Sequence, residues 1–341
     1  MNQKNIDWAN LPFAYFDTDY NVRTYFRGGE WGAMEISSSK YVPMHIAATS
    51  LHYGQEAFEG LKAYRGKDGK VRLFRWQENA KRMKRSAYGI MMAEVPDELF
   101  YNSIVKAIEL NAGYIPPYGT GATLYVRPLL VGSGARVGVK PADEYMFMVF
   151  VTPVGAYFKE GFKPVAVQIV RDIDRAAPLG TGKYKVGGNY AAGMRAGERA
   201  HQEGFASVLF LDSLEKKYID EAGPANFYGI KDNTYVTPKS DSILPSITNM
   251  SLEQIAKDLG LKVERRRVPF EELPTFDEVG ACGTAAIISP IRKIVDKSTG
   301  EAITYGEEAG PVSTKLYHQL RGIQEGTVED IHRWNTVIEG I

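Results

Sequence analysis

The segment Lys-Glu-Gly-Phe-Lys-Pro at 159–164 divides this chain. Before it, residues 145–153 are β-branched, aromatic and apolar; after it, 165–170 start a new strand pattern, and the glycine, proline and charges between suit a connection. At 341 residues the chain also exceeds the span over which one core usually grows. Two domains are expected: a smaller α+β domain over 1–160 and a larger mixed α/β domain over 161–341.

In the first half the turn signal Lys-Asp-Gly-Lys at 67–70 precedes a strand at 71–74 and a helix at 77–87. A second helix is expected at 97–111, then strands at 122–130 and 145–153. In the second half a helix at 189–202 stops at Gly204, and a strand at 206–212 ends in a polar turn. Ser251 and Gln254 form a capping-box pattern for a helix running through Leu259, with Gly260 as its stop. Strands at 261–269 and 285–295 and a helix at 312–323 complete the pattern, without internal repeat or low-complexity tract.

Charge and composition narrow the function. Forty-one basic residues balance forty-one acidic ones, so no global field attracts nucleic acid. Apolar runs such as 146–151 are too short to cross a bilayer, and residues 1–10 have neither signal-peptide nor transit-peptide character, so a cytoplasmic protein is expected. The single cysteine, Cys282, rules out an intrachain disulfide and fits a reducing compartment. Histidines 45, 52, 201, 318 and 332 lack ligand spacing, so no metal site is expected.

The chemistry centres on Gly-Thr-Gly-Lys-Tyr-Lys-Val-Gly-Gly-Asn-Tyr at 180–190. Read alone, Lys185 is a solvated lysine. Gly187 and Gly188 change that reading, because missing β-carbons let the chain turn sharply and let a ring or another backbone approach. An amine so placed could form a Schiff base if its surroundings lower its pKa. Lys183 competes for the role and is expected to face solvent.

Three later stretches supply complementary groups. Glu221, just beyond the strand-like 217–220, could hold a protonated ring nitrogen, although Asp220 is an equal local candidate and turn capping is the simpler use. Ser246, Ile247 and Thr248 stand directly before a helix, and Gly283, Thr284 and Ala285 form a small-residue turn; both suit a phosphate. Dinucleotide patterns fail: Gly180-Thr-Gly182 lacks a third glycine, and Gly132-Ser-Gly134 meets Gly138 one position late. An amine, a carboxylate and phosphate donors are what pyridoxal phosphate requires.

These residues are recognisable together. The stretches Leu-His-Tyr-Gly-Gln-Glu-Ala-Phe-Glu-Gly at 51–60, Leu-Tyr-Val-Arg-Pro at 124–128, Pro-Val-Gly-Ala-Tyr-Phe at 153–158, 185–190 and 244–248 carry the likeness. From about 13 to 323 the chain resembles the branched-chain amino-acid aminotransferases, class-IV aminotransferases of fold-type IV. The resemblance implies a two-domain pyridoxal 5′-phosphate enzyme with its active site at the domain interface. It implies that Lys185 binds the cofactor aldehyde and shuttles the proton, that Tyr190 hydrogen-bonds the phenolic oxygen, and that Glu221 pairs with the ring nitrogen.

Phosphate contacts are implied for Arg82, the amides of Ile247 and Thr248, and Thr284. Without the family, Arg82 reads as part of a solvated basic helix face with Lys81, Lys84 and Arg85. Phe58, Tyr125, Tyr157 and Ala285 are implied to line an aliphatic pocket, with the amides of Thr284 and Ala285 on the α-carboxylate and Arg127 on a second carboxylate. Tyr53 and Val139 are implied to come from the neighbouring subunit of a homodimer or higher oligomer.

The expected activity moves the amino group of leucine, isoleucine or valine to 2-oxoglutarate, giving a 2-oxo acid and glutamate. Alternatives are another fold-type IV enzyme (a D-amino-acid aminotransferase or an aminodeoxychorismate lyase) and a non-catalytic phosphate-binding module. Two departures from the pattern stand out. Residues 286–289 read Ala-Ile-Ile-Ser where some relatives begin a Cys-x-x-Cys redox pair, and Pro224 stands where some carry threonine. Cys282 reads as a small buried apolar residue.

Overall fold

The computed structural model describes residues 3–155, 157 and 162–341. Half of the dividing segment, 159–161, and residues 156 and 158 of the Gly-Ala-Tyr-Phe stretch lie outside them. Among the described residues the first elements are β1 (Asn21–Arg27), β2 (Glu30–Trp31), β3 (Glu35–Ser37), α1 (Thr49–Tyr53), β4 (Glu56–Phe58), β5 (Leu61–Arg65), β6 (Val71–Phe74), α2 (Trp76–Gly89) and α3 (Asp97–Leu110). Then come β7 (Thr123–Gly132), β8 (Tyr145–Val154), β9 (Val165–Val170), α4 (Gly187–Gln202), β10 (Ser207–Leu211), β11 (Ile219–Ala222), β12 (Ala225–Lys231) and β13 (Thr234–Pro238). The rest are α5 (Ile247–Asp258), β14 (Lys262–Arg266), β15 (Glu278–Gly283), β16 (Ile287–Asp296), β17 (Glu301–Thr304), α6 (Pro311–Glu325) and β18 (Asn335–Ile338).

Two compact units emerge. The first comprises Met1–Tyr157, Tyr184–Gly187 and Gly322–Ile341, and the second Phe158–Lys183 and Gly188–Arg321. Two segments from the expected 161–341 domain therefore group with the first unit. One is the short strap holding Lys185, whose neighbour Val186 bridges Ala57. The other is the C-terminus, where β18 pairs antiparallel with β6.

The first unit is an antiparallel sheet ordered β18-β6-β5-β7-β8-β1-β2, with β3 on β1 and β4 on β7. Alternate positions along its strands supply the core. Leu124 and Val126 of β7, Leu61 and Ala63 of β5, and Phe147 and Val149 of β8 enter one core with Met83 of α2 and with Phe100 and Ile104 of α3. Tyr125, Arg127 and Lys62 occupy the intervening positions and so belong to the opposite face. Asp97 and Glu98 start α3 just after Pro96, where carboxylates suit the helix dipole.

In the second unit the order is β11-β10-β9-β16-β15-β12-β13-β14, and an added β11–β12 pairing joins the first six strands into a ring. Val167, Leu209, Phe227, Val279 and Ile294 meet in its core, while Ala196 and Ala200 of α4 pack with Val170, Val208 and Phe210 on another cluster. The Gly223-Pro224 pair turns the β11–β12 hairpin, with Gly223 at φ 60, a conformation glycine adopts without strain. Pro224 is exposed at that tip.

Three expectations are corrected. The helix expected from Ser251 starts at Ile247, with Ser246 as N-cap; Ser251 lies a turn inside and its hydroxyl donates to the Ile247 carbonyl at 2.8 Å. The capping-box spacing recurs inside an amphipathic helix, and the true start is fixed by Pro245, which precedes the cap. Glu221 lies within β11 rather than beyond a strand at 217–220, because pairing with β12 extends to Ala222. Finally, of the turn expected at 283–285, Gly283 is instead the last residue of strand β15, paired with Ile287 of β16.

Candidate active site

In the first unit Lys185 is held by its own backbone. Its N–H donates to Ser86 Oγ at 2.8 Å and its carbonyl accepts from the Phe58 N–H at 3.1 Å. Gly187 leaves room here for Glu56, whose Oε1 would lie 1.7 Å from a β-carbon at this position. That close approach lets Glu56 accept a hydrogen bond from the Gly187 backbone, while burial, the larger influence, raises its pKa. Lys183 is exposed, as expected.

The Lys185 amine stands 4.7 Å from the centre of the Phe58 ring. Its side chain keeps some accessible surface, yet dense protein around the nitrogen penalises the charge. Burial, followed by repulsion from Arg82, brings its pKa from the ordinary 10.5 down to about 8; Glu59 and Tyr125 oppose that shift and Arg127 adds to it. Near neutrality a useful fraction of the amine is therefore unprotonated.

Around it stand residues from β4, β7 and α2. The Arg127 guanidinium lies 4.8 Å from the Phe58 ring centre and 5.3 Å from that of Tyr125, and its Nη2 donates to Tyr125 Oη at 3.2 Å. Phe13 meets Tyr125 and Tyr157 edge-on at 5.8 and 5.1 Å. Gly60 makes room for Tyr125: a β-carbon there would sit 2.0 Å from the phenol oxygen.

Arg82 is not on a solvated face. It is buried on the core side of α2, while Lys81 and Arg85 are exposed. Its Nε and Nη2 donate to Glu59 Oε1 and Oε2 at 2.7 and 2.8 Å. A count of charges around 79–85 misses this because helical spacing alone does not say which cation finds a buried carboxylate.

In the second unit the buried Glu221 accepts from the Leu244 backbone N–H at 2.6 Å and lies 3.4 Å from Arg175 Nη2. Arg175 also donates to the carbonyls of Gly182 and Ser242. Adjacent on the strand, Asp220 faces the other way and takes the Ser242 hydroxyl at 2.5 Å; burial raises its pKa.

Ser246 Oγ accepts from the Asn249 N–H at 3.2 Å, setting the start of α5 where Ile247 and Thr248 are buried. Behind it, Asn249 Nδ2 donates to Asn226 Oδ1 and Thr237 Oγ1 at 3.1 and 2.9 Å, and Asn226 Nδ2 donates to the Leu244 carbonyl at 3.0 Å. Thr284 and Ala285 occupy the turn joining β15 to β16, and Ile287 after it has φ 65, strained for a β-branched residue. Tyr190 lies in the first turn of α4. Cys282 is buried in β15, as expected.

Thus Phe58, Arg82, Tyr125 and Arg127 gather with Lys185 in the first unit, and Glu221 sits with the loop leading to Ile247 and Thr248 in the second. Tyr53 and Val139 lie on exposed surface instead, and the Tyr53 hydroxyl donates to the Val137 carbonyl. Sequence reasoning missed Phe13, Glu59, Gly60, Arg175, Asn226 and Asn249. No local signal distinguishes Glu59 from Glu56 three residues earlier; only their different partners do. Among the described residues no group of three or more His, Cys, Asp or Glu could hold a metal, and no helix is long and apolar enough to cross a membrane.

The family model described as Amino-transferase class IV matches residues 56–294. The chain belongs to this family and is a transaminase. It is 46% identical to a branched-chain-amino-acid aminotransferase of Haemophilus influenzae, covering 98% of this chain and 100% of that protein. A namesake from Helicobacter pylori is 44% identical over 98% of both. Its fold is similar to that of the Escherichia coli branched-chain amino acid aminotransferase, with TM-score 0.80, 28% identity, and 94% and 100% of the two chains covered. A branched-chain amino acid aminotransferase of T.th. complexed with N-(5′-phosphopyridoxyl)-L-glutamate matches with TM-score 0.79 and 26% identity, covering 94% of this chain and 100% of that one.

Proposed function

We propose that this protein is a pyridoxal 5′-phosphate transaminase that moves the amino group of leucine, isoleucine or valine to 2-oxoglutarate. The observation that carries this reading is the Lys185 amine, its pKa lowered to about 8, set over Phe58 and near buried Arg82. Full-length similarity to branched-chain enzymes favours this substrate class over a D-amino-acid aminotransferase or an aminodeoxychorismate lyase.

The donor set fits the cofactor. A lysine with a depressed pKa suits an aldehyde, a buried carboxylate flanked by arginine suits a protonated ring nitrogen, and a capped helix start with a buried guanidinium suits a phosphate. When bound, pyridoxal phosphate supplies an aldehyde that condenses with amines and a ring that draws negative charge from the substrate Cα. Lys185 Nζ would hold the cofactor aldehyde and would serve as the base that takes up and returns the substrate Cα proton. Glu221 holds the proton on the ring nitrogen.

Arg82, the amides of Ile247 and Thr248 and the Thr284 hydroxyl bind the phosphate, and Tyr190 hydrogen-bonds the phenolic oxygen. Phe58, Tyr125, Tyr157 and Ala285 contact the aliphatic side chain, and the Thr284 and Ala285 amides hold the α-carboxylate. Arg127 takes the second carboxylate of glutamate. When leucine occupies the site instead, the ring faces of Phe58 and Tyr125 keep the guanidinium partnered.

The enzyme works as a homodimer in which Tyr53 and Val139 serve the partner's site and help exclude water; exposure of Tyr53 and Val139 in a single chain supports this. Its single, buried cysteine fits a cytoplasmic home. The test is direct: purified protein should be yellow, lose that colour on borohydride reduction, and carry the reduced adduct at Lys185 by mass mapping. Coupled turnover should favour L-leucine over D-alanine. A colourless protein with no adduct would leave only a phosphate-binding module.

A further inference from the structure

One buried ion pair in the first unit involves a residue with no role in the reading above. Glu59 has no exposed surface, and its carboxylate accepts three hydrogen bonds: two from Arg82 and one from Asn79 Nδ2 at 2.7 Å. Its backbone N–H donates to the Pro128 carbonyl at 2.8 Å, tying it to β7. Asn79 and Arg82 lie three residues apart on α2, so one turn of helix supplies all three donors.

We infer that Glu59 is a positioning residue for the cofactor phosphate: by clasping Nε and Nη2 of Arg82 it fixes the plane of the guanidinium and aims its opposite edge. This rests on the reading of Arg82 as a phosphate ligand. A guanidinium is planar, so two parallel bonds to one edge set the direction of the other. An arginine held in this way has already lost its rotamer freedom on folding and does not lose it again when a phosphate binds. Desolvating an ion pair is costly, so a carboxylate with no exposed surface is poorly explained as a source of stability alone.

Glu59 has a second effect. The charged or titratable groups with the largest effect on the Lys185 amine include Arg82 from α2, Glu59 after β4, and Tyr125 and Arg127 from β7. Glu59 offsets the repulsion that Arg82 exerts on the amine.

Equilibrium binding to the full-length apoprotein tests this, with pyridoxal 5′-phosphate and pyridoxal, which lacks the phosphate, as the two probes. Glu59→Gln should raise the Kd for pyridoxal phosphate about tenfold, the scale of a misaligned charge-assisted hydrogen bond. Its affinity for pyridoxal should stay within about twofold of wild type. The pH midpoint for trapping Lys185 with pyridoxal should fall, since the amine loses its neighbouring carboxylate. Added to Arg82→Lys, Glu59→Gln should cost nothing more, because it acts through Arg82.

Unchanged affinity for pyridoxal phosphate in Glu59→Gln, or losses that multiply in the double variant, would overturn the inference. If Arg82→Lys alone leaves pyridoxal phosphate binding unchanged, the phosphate reading of Arg82 fails, and the positioning role with it. Should Glu59→Gln lose both probes through poor folding, Asn79→Ala decides: weaker binding of pyridoxal phosphate alone supports the role, and unchanged binding of both rejects it.

Discussion

Each unit buries an arginine beside a carboxylate, and the two pairs are built in opposite senses. In the first, Glu59 is fully enclosed and holds Arg82 by two short bonds on one edge, so the carboxylate is the support and the guanidinium the presented group. In the second, Arg175 is spread over the carbonyls of Gly182 and Ser242 and stands 3.4 Å from Glu221, so the guanidinium is the support and the carboxylate is presented. The difference fits the roles proposed for the two pairs. A phosphate needs a cation whose direction is set, whereas a protonated ring nitrogen needs an anion kept ionised despite burial.

Substitutions can break this contrast, beginning with Lys185. Lys185→Ala should lower transamination by roughly 10³-fold or more, since general acid–base catalysis and the covalent anchor are lost together; steady-state turnover of leucine measures it. Glu221→Gln should lower turnover by about 10²-fold, the scale of removing one preorganised charge, with little change in the Kd for pyridoxal phosphate. If instead affinity collapses and turnover per bound cofactor is normal, the second pair is a mere structural tie. Arg127→Ala should reduce kcat/KM for glutamate by about 10- to 100-fold, as expected for a charge-assisted bond to carboxylate, and leave leucine nearly untouched. Equal losses on both substrates would show that Arg127 simply holds Tyr125.

The pH response sharpens the contrast further. Because the amine of Lys185 is depressed to about 8 from 10.5, the unfolded chain keeps a proton between those values that the folded apoprotein has released. Stability of the apoprotein should therefore rise with pH across that window through this group. Lys185→Met should stabilise the apoprotein at pH 7, and urea titrations should show that advantage shrinking toward pH 10.5. A gap independent of pH would mean that the lysine is solvated. The smallest effect belongs to Ser246→Ala, which removes the cap of α5 and should cost about 1 kcal/mol in urea denaturation.

Much of the first unit was legible beforehand. The alternation at 123–132 marks β7 and places Tyr125 and Arg127 on one face, and the helices at 76–89 and 97–110 follow their periodicity. The second unit was harder to read. β12 is buried for nearly its whole length and β15 ends in Gly-Ala-Cys-Gly, so neither carries a period-two signal. Ser251 with Gln254 mimics a helix start four residues inside the true one.

By itself the sequence determined what is local: where strands alternate, where glycines relieve the chain around Lys185, and which residue types are available for each task. Tertiary structure decided which of several equals is buried and partnered. Arg82 was set apart from Lys81 and Arg85 by a carboxylate 23 residues away, Glu221 from Asp220 by the Leu244 amide, and the amine of Lys185 was tuned by burial and by Arg82. Desolvation and charge pairing depend on which distant side chains close around a group, and spacing along the chain does not encode that.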